Sequence, residues 1–194
     1  MRQLHLAGHL RLMDEPLDAQ FSSWVVPKYP KIRLEQVAAL SRRFVKLRPR
    51  GEVPYGFDQP FLAVKRSGEL EEDLVGLTCA SLVVGIFDTA GTPIVDPKDW
   101  YNNKEDRAWQ TKIASLLEQR YPNQAKELLK QNGATRYRPI HVFGGACCEK
   151  PPATKSTCVR QLQILMYLRS QEELQQQLVH TSVYYPTLAG LPRL

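Results

Sequence analysis

The sequence lacks a long apolar run, a Cys-x-x-Cys spacing, internal repeats and low-complexity tracts. These absences limit the classes of protein to which the chain can belong. Apolar stretches such as Leu82 to Phe87, with Gly85 inside it, are far shorter than the roughly 20 residues that a membrane-spanning helix needs. Histidines and an arginine interrupt the first twelve residues, so no secretory apolar segment is predicted there. We expect a cytoplasmic protein that has no membrane partner.

Only four cysteines are present, at positions 79, 147, 148 and 158. The geometry of a disulfide disfavours a bond between the two adjacent ones, and in a reducing compartment free thiols pack as small hydrophobic groups. Zinc would accept the atoms of His141, Cys147, Cys148 and Cys158, but their spacing matches no common zinc module. We therefore expect reduced, partly buried thiols, with no metal and no cofactor. The alternative is that Gly144-Gly145 and the thiols form an anion nest or a nucleophile beside His141.

The chain of 194 residues, with 43% hydrophobic and 24% charged residues, is long enough to fold without a metal or a crosslink. At this size about 70% of the unfolded chain's surface becomes buried. We predict one domain over residues 1–194. Its last ten residues, 185–194, contain proline and glycine and are predicted to form an extended tail.

Hydrophobic spacing predicts a mixture of strands and helices. Alternating leucines predict a strand over 3–12, and runs of apolar residues predict further strands over 61–64, 79–87, 92–95, 137–143 and 160–168. Helical spacing begins at Leu34, again near Asn103 and at Ala125, and a polar helix is predicted over 171–180. Because strands and helices do not alternate regularly, the predicted fold is an α+β single domain with a mixed or antiparallel sheet packed against several helices.

Positive charge is concentrated in one segment. The whole chain carries a formal charge of +6, whereas residues 28–50 hold eight basic side chains against Glu35 alone, a net of +7. The predicted phosphate-contacting residues are Lys28, Lys31, Arg33, Arg42, Arg43, Lys46, Arg48 and Arg50. Trp24, Tyr29 and Tyr55 flank them and could stack on unpaired bases.

A second basic stretch covers residues 130–160, with a net charge of +5. Its cations are Lys130, Arg136, Arg138, Lys150, Lys155 and Arg160. For both stretches the alternative interpretation is a solvated surface with structural ion pairs, some of them to the acidic turn at 69–73.

The eleven-residue segment Ile86-Phe87-Asp88-Thr89-Ala90-Gly91-Thr92-Pro93-Ile94-Val95-Asp96 resembles the first motif of the haloacid dehalogenase superfamily, and its Asp-x-Ala-Gly-Thr form resembles the phosphonoacetaldehyde hydrolase branch. The resemblance implies that Asp88 ends a buried strand and attacks the substrate, with Mg²⁺ offsetting the developing charge. Two departures are clear: 87 residues precede Asp88, and no convincing acidic pair for Mg²⁺ follows it. The competing interpretation is that Asp88 to Gly91 form a hairpin turn.

The pattern Leu6-x-Gly8-x-Leu10-x-Leu12 followed by Pro16-Leu17 resembles the opening strand of repeat-associated RNA-binding subunits in CRISPR effector complexes. Their later glycine-rich signature is absent, since Gly144-Gly145 continue with Ala-Cys-Cys. The resemblance implies a ribonucleoprotein setting rather than a free enzyme.

The sequence as a whole predicts a non-enzymatic nucleic-acid binding protein, with RNA favoured over DNA, that works with other protein subunits in a larger assembly. The alternatives are a protein-interaction or scaffold subunit without nucleic acid and a hydrolase that uses Asp88. No catalytic residue is assigned.

Overall fold

The fold is mainly helical. A computed structural model describes residues 2–6, 9–16, 27–48, 50–100, 104–131 and 135–182. Its elements are β1 (Arg2–Leu6), β2 (Leu12–Pro16), α1 (Lys31–Lys46), α2 (Cys79–Thr89), α3 (Lys104–Glu118), α4 (Pro122–Lys130), α5 (Pro139–Ala146) and α6 (Lys155–Ser182). The prediction of an α+β domain built on a sheet is wrong, because the sheet in this part of the chain has only the two strands β1 and β2.

Three predicted helices are confirmed. Helices α1, α3 and α4 occur where the apolar spacing places them, and the polar stretch 171–180 lies inside α6. Pro122 ends one predicted helix and occupies the first turn of the next, a position where a missing N–H costs little.

Helix α2 corrects the strand predicted over 79–87. Thr78 begins it with a capping box: the Ser81 N–H donates to Thr78 Oγ1 at 3.0 Å, and the Thr78 N–H donates to Ser81 Oγ at 2.7 Å. Leu82 and Ile86 face one core cluster, whereas Ala80 and Val84 face another. The run is continuously apolar because the helix is covered on both sides, and this pattern alone cannot distinguish a buried helix from a buried strand.

Helices α5 and α6 correct the strands predicted over 137–143 and 160–168. Pro139 occupies the first turn of α5, and Thr154 accepts a bond from the Thr157 N–H at the start of α6, at 3.3 Å. The two helices pack closely because Gly144 has no side chain: a Cβ atom there would overlap the carbonyl oxygen of Cys158. Cys158 and Leu162 are the buried residues through which α6 contacts the core.

The N-terminal hairpin replaces the single strand predicted over 3–12. β1 and β2 are antiparallel, and Leu6 pairs with Leu12. Pro16, which has no N–H to donate, is accommodated at the end of β2 because both strands of a two-stranded sheet are edge strands. The other two predicted strands are also wrong: within 61–64 and 92–95 only Val64 and Val95 form isolated bridges. Each contributes too few backbone hydrogen bonds to extend a ladder.

Within the described residues the core consists of three clusters, and the first two share α2. One lies between the hairpin, α1 and α2; a second lies between α2, α5 and α6; a third lies between α3 and α4. Their largest fully buried members include Phe44, Leu82, Ile94, Tyr137 and Leu128. Among the helices that the structure describes, none combines the length and apolarity needed to cross a bilayer. The single-domain assignment of 1–194 stays a prediction, and the tail 185–194 lies outside the described residues.

His9 ties the hairpin to the helices and makes folding sensitive to pH. The Tyr55 N–H donates to His9 Nδ1 at 3.1 Å, and the His9 ring lies 4.3 Å from that of Tyr121. Burial lowers the pKa of His9, so the folded state takes up this proton at a lower pH than the unfolded chain, whose histidine pKa is about 6.5. Neutral His9 therefore contributes fully to the free energy of unfolding above the unfolded-state pKa. This contribution is lost as pH falls below that pKa.

We therefore expect the free energy of unfolding to decrease between pH 7.5 and pH 5.5. His9→Phe keeps an aromatic ring but removes the titration, so its stability should depend less on pH. Some dependence should remain, because the pKa of His141 is also lowered by burial. Urea titrations at the two pH values measure this, and an unchanged pH dependence in His9→Phe would contradict it.

Candidate nucleic-acid interface

An open groove of about 390 Å³ lies between α1 and the C-terminal end of α2. Three arginines from separate parts of the chain contribute to it: Arg33 and Arg43 from α1, and Arg66 from the loop that precedes α2. The remaining lining residues are Gln36, Ala39, Leu40, Thr89, Ala90 and Gly91. The groove therefore combines guanidinium groups with a small aliphatic surface.

Two of these arginines lie on α1, beside the residues that this helix buries. Val37, Leu40 and Phe44 are in the core, and Arg33 and Arg43 are exposed beside them. The Arg33 guanidinium donates to the Gln36 side chain at 3.2 Å, a contact within the same helix. Both guanidinium groups are thus held near the groove and remain accessible to a ligand.

The α2 side of the groove is a Schellman ending rather than the hairpin turn predicted for Asp88 to Gly91. The Thr92 N–H donates to the Phe87 carbonyl at 2.9 Å, and the Gly91 N–H donates to the Asp88 carbonyl at 2.8 Å. Gly91 has φ +73°, the left-handed conformation that this motif requires and glycine adopts without strain. The last carbonyls of α2 are thereby satisfied internally.

Arg66 is a groove residue that the sequence did not indicate. It lies in a tight turn that the bridge between Val64 and Leu70 closes, and its carbonyl accepts from Arg43 at 3.4 Å. Arg66 lies outside 28–50, next to the acidic stretch, so linear charge counting assigns it to a solvated turn. Only the packing of this turn against α1 shows that it belongs with Arg33 and Arg43.

The charge balance of the groove favours an anion. Three full positive charges face a helix C-terminus whose dipole corresponds to about half a negative charge. No Asp or Glu is among the groove's described lining residues. Arginine binds phosphate and carboxylate groups through parallel N–H donors, and such charge-assisted bonds are the stronger kind.

The other predicted cations fall into two groups. Arg42, Lys46 and Arg50 are exposed but do not line the groove, so they could contact only a ligand that extends beyond it. Lys28 pairs with Glu149 at 3.4 Å, and Lys31 lies 3.8 Å from Glu35. Exposed ion pairs of this kind contribute little to stability. Each lysine could therefore exchange its carboxylate partner for a phosphate.

Arg48 has a structural role. Its guanidinium donates to the Gly68 carbonyl at 2.8 Å and to the Phe44 carbonyl at 3.2 Å, and it lies 3.9 Å above the Phe44 ring. It fixes the turn that carries Arg66 against the end of α1. Arg48 therefore supports the groove without lining it.

The predicted stacking residues are less accessible than the cations. The Tyr29 hydroxyl donates to the Pro93 carbonyl at 2.8 Å, and Tyr55 packs edge to face on Phe57 with ring centroids 5.9 Å apart. Both side chains are half-buried. Trp24 lies outside the described residues.

Much of the second basic stretch is engaged with nearby side chains. Arg136 lies 4.0 Å above the Trp109 ring, and Lys155 lies 5.7 Å above Trp100. Arg138 pairs with Glu105 at 2.6 Å, which keeps the pKa of that carboxyl below its usual range. These contacts agree with the alternative interpretation of the 130–160 stretch, a solvated surface with structural ion pairs.

Asp88 does not have the position that the dehalogenase resemblance implies. It is the next-to-last residue of α2, whereas the motif requires an aspartate at the end of a buried strand. Burial raises the pKa of its carboxyl, and the residue does not line the groove. The strand context implied for a nucleophile is therefore wrong.

The four cysteines lie in α2, around the end of α5 and in α6. Within the described part of the chain, no group of three or more Cys, His, Asp or Glu is placed to hold a metal ion. Burial raises the pKa of Cys158 to about 12, and the pKa values of Cys147 and Cys148 are also raised. A thiol with a raised pKa carries little thiolate at neutral pH, which disfavours a nucleophilic role.

No family model matches the chain, and neither the curated proteins nor the solved structures include a significant match. The function of the groove therefore follows from the chemistry of its lining residues alone.

Proposed function

We propose that this chain is a non-enzymatic cytoplasmic protein that binds the phosphate backbone of nucleic acid, RNA in preference to DNA, as one subunit of a larger assembly. The observation that carries the proposal is the convergence of Arg33, Arg43 and Arg66 on one open groove. Phosphate contacts of this kind supply affinity and position a strand without reading its sequence.

The surroundings of the groove support a polymer over a small anion. Arg42 and Lys46 are exposed on the same helix as two of the groove arginines, so positive charge continues past the groove itself. Ala39, Leu40 and Ala90 supply an aliphatic surface beside the guanidinium groups. A single strand could place a phosphate on the arginines and pack its sugar or base edge on that surface.

Salt dependence tests this proposal. For a single strand, each neutralised phosphate contributes about −0.7 to the slope of log K against log salt, so three arginine contacts predict a slope near −2. Affinity for a labelled single-stranded RNA should then fall about 20-fold between 50 and 200 mM salt. Fluorescence anisotropy measures it; no binding at low salt, or a slope near zero, would contradict the proposal.

A protein-interaction subunit is the second candidate function. The observation that favours it is the set of exposed large apolar residues on α6, including Ile164, Tyr167 and Leu168. These side chains lie on a different helix from the groove, so the two functions are compatible within one molecule.

A further inference from the structure

The arginine groove follows helix α1 lengthwise. The residues of this helix that line the groove are Arg33, Gln36, Ala39, Leu40 and Arg43. At 100° per residue these positions fall within about 120° of the helix circumference, so they form one stripe along the helix. The first and the last of them are ten residues apart, which corresponds to about 15 Å along the helix axis. The groove is therefore elongated, with an arginine at each end of its α1 wall.

The two arginines of α1 lie against different parts of the opposite wall. A Cβ atom at Gly91 would be 3.8 Å from Arg33 Nη1, so Arg33 lies beside the end of α2. Arg43 Nη1 donates to the Arg66 carbonyl oxygen at 3.4 Å, and a Cβ atom at Gly68 would be 2.9 Å from Arg43 Cγ. Arg43 therefore lies against the turn that carries Arg66. The guanidinium groups mark two ends of the groove rather than a single point.

The part of α1 between these two ends is uncharged where it lines the groove. Ala39 and Leu40 give it an apolar surface. Arg33 donates to the side-chain oxygen of Gln36 at 3.2 Å, so it is the amide nitrogen of Gln36 that can donate to a ligand. A ligand that matches this order carries two anionic groups with an apolar or hydrogen-bonding group between them.

A nucleic-acid strand has this order of groups, because a sugar and a base separate each phosphate from the next. Successive phosphates of a stacked strand advance by about 3.4 Å along its axis, so about four steps cover the length between the two ends, and an unstacked strand needs fewer. A peptide with two carboxylates could also match the two ends. Exposed Arg42 and Lys46 continue the positive charge past the groove, which favours the longer polyanion.

We infer that the arginine groove binds two phosphates of the same single strand, one on Arg33 and the other on Arg43 and Arg66. The nucleotides between these phosphates pack over Ala39 and Leu40. This inference rests on the proposed function and adds to it a minimum ligand of about three to five nucleotides. A mononucleotide or an inorganic phosphate carries one phosphate and occupies only one end.

A series of oligonucleotide lengths tests the inference. Unlabelled oligouridylates of one to five nucleotides would displace a labelled 20-nucleotide RNA from the full chain, with fluorescence anisotropy as the readout. Affinity should increase on the order of 10- to 100-fold between one and five nucleotides, because the longer strand gains a second set of charge-assisted hydrogen bonds. A mononucleotide that competes as well as the five-nucleotide strand would overturn the inference.

Two variants of equal charge separate the groove ends from overall attraction. Arg33→Gln leaves one end charged, so its gain in affinity from one to five nucleotides should fall to a few-fold. Arg42→Gln is the matched control: Arg42 is exposed on the same helix but does not line the groove, so this variant should keep the gain. Circular dichroism checks that both variants are folded. Equal losses in the two variants, or a full gain in Arg33→Gln, would contradict the two-phosphate arrangement.

Two further outcomes identify which claim has failed. If the 20-nucleotide RNA does not bind the wild-type chain at low salt, both the proposed function and this inference are wrong. If that RNA binds but affinity does not increase from one to five nucleotides, only the two-phosphate arrangement is wrong. A hexapeptide with a glutamate at each end that displaces the RNA better than the five-nucleotide strand would also overturn the inference, in favour of an acidic protein ligand.

Discussion

Replacing Arg33 and Arg43 together with glutamate is expected to weaken binding of single-stranded RNA by more than about 100-fold at low salt. Each arginine supplies a charge-assisted hydrogen bond worth about 1.5 to 3 kcal/mol, and the glutamates add repulsion against the phosphates. The fold should be retained, because both side chains are exposed and the substitutions leave the buried residues Val37, Leu40 and Phe44 in place.

The matched control is the double variant Arg107→Glu and Lys126→Glu. These exposed cations lie on α3 and α4, outside the groove, and their reversal changes the net charge by the same amount. Anisotropy titrations at matched salt should show a small effect for the control and a large one for the groove variant. Equal losses in both variants would mean that binding depends on overall charge and not on the groove.

Gly144→Ala is expected to destabilise the protein by about 3 kcal/mol, the upper part of the usual range for overpacking. The new Cβ would overlap the Cys158 carbonyl oxygen and lie 3.0 Å from Leu162 Cγ. A backbone atom cannot move aside as a flexible side chain can, so α5 and α6 would have to separate and lose buried contacts.

Whether Gly144→Ala lowers or raises the stability of the protein distinguishes overpacking from helix propensity. Glycine to alanine inside an unhindered helix normally stabilises it by about 1 kcal/mol, so helix propensity predicts the opposite result. Thermal or urea unfolding measures the difference. A Gly144→Ala protein as stable as the wild type would contradict the close packing of α5 on α6.

The three helices α1, α3 and α4 could be predicted because each has one apolar and one polar face. α2 could not be assigned from apolar content, since Leu82 and Val84 lie in different core clusters and its sequence has no polar face. The local sequence signal for a helix here is Thr78, a residue type that is common at helix N-caps. For α5 the corresponding signal was Pro139, which suits a first helical turn better than a strand interior.

The groove was predictable only in part. Arg33 and Arg43 stand out in the basic segment 28–50, and helical spacing places Arg43 outside the apolar face. Arg66 joins them through the turn that Arg48 holds against α1, a contact between residues 20 positions apart. Charge counts along the chain carry no information about that contact. They also could not separate Arg48, which is structural, from cations that face solvent.

Photo-crosslinking is the most direct test of the claim that RNA lies in the arginine groove. A single-stranded RNA that carries 4-thiouridine would be irradiated with the full-length protein at low salt, and the crosslinked peptides would be identified by mass spectrometry. Crosslinks should concentrate in peptides from 31–46, 65–69 and 88–92, which border the groove. Crosslinks confined to α3 and α4, or none at an RNA concentration that saturates binding, would contradict it.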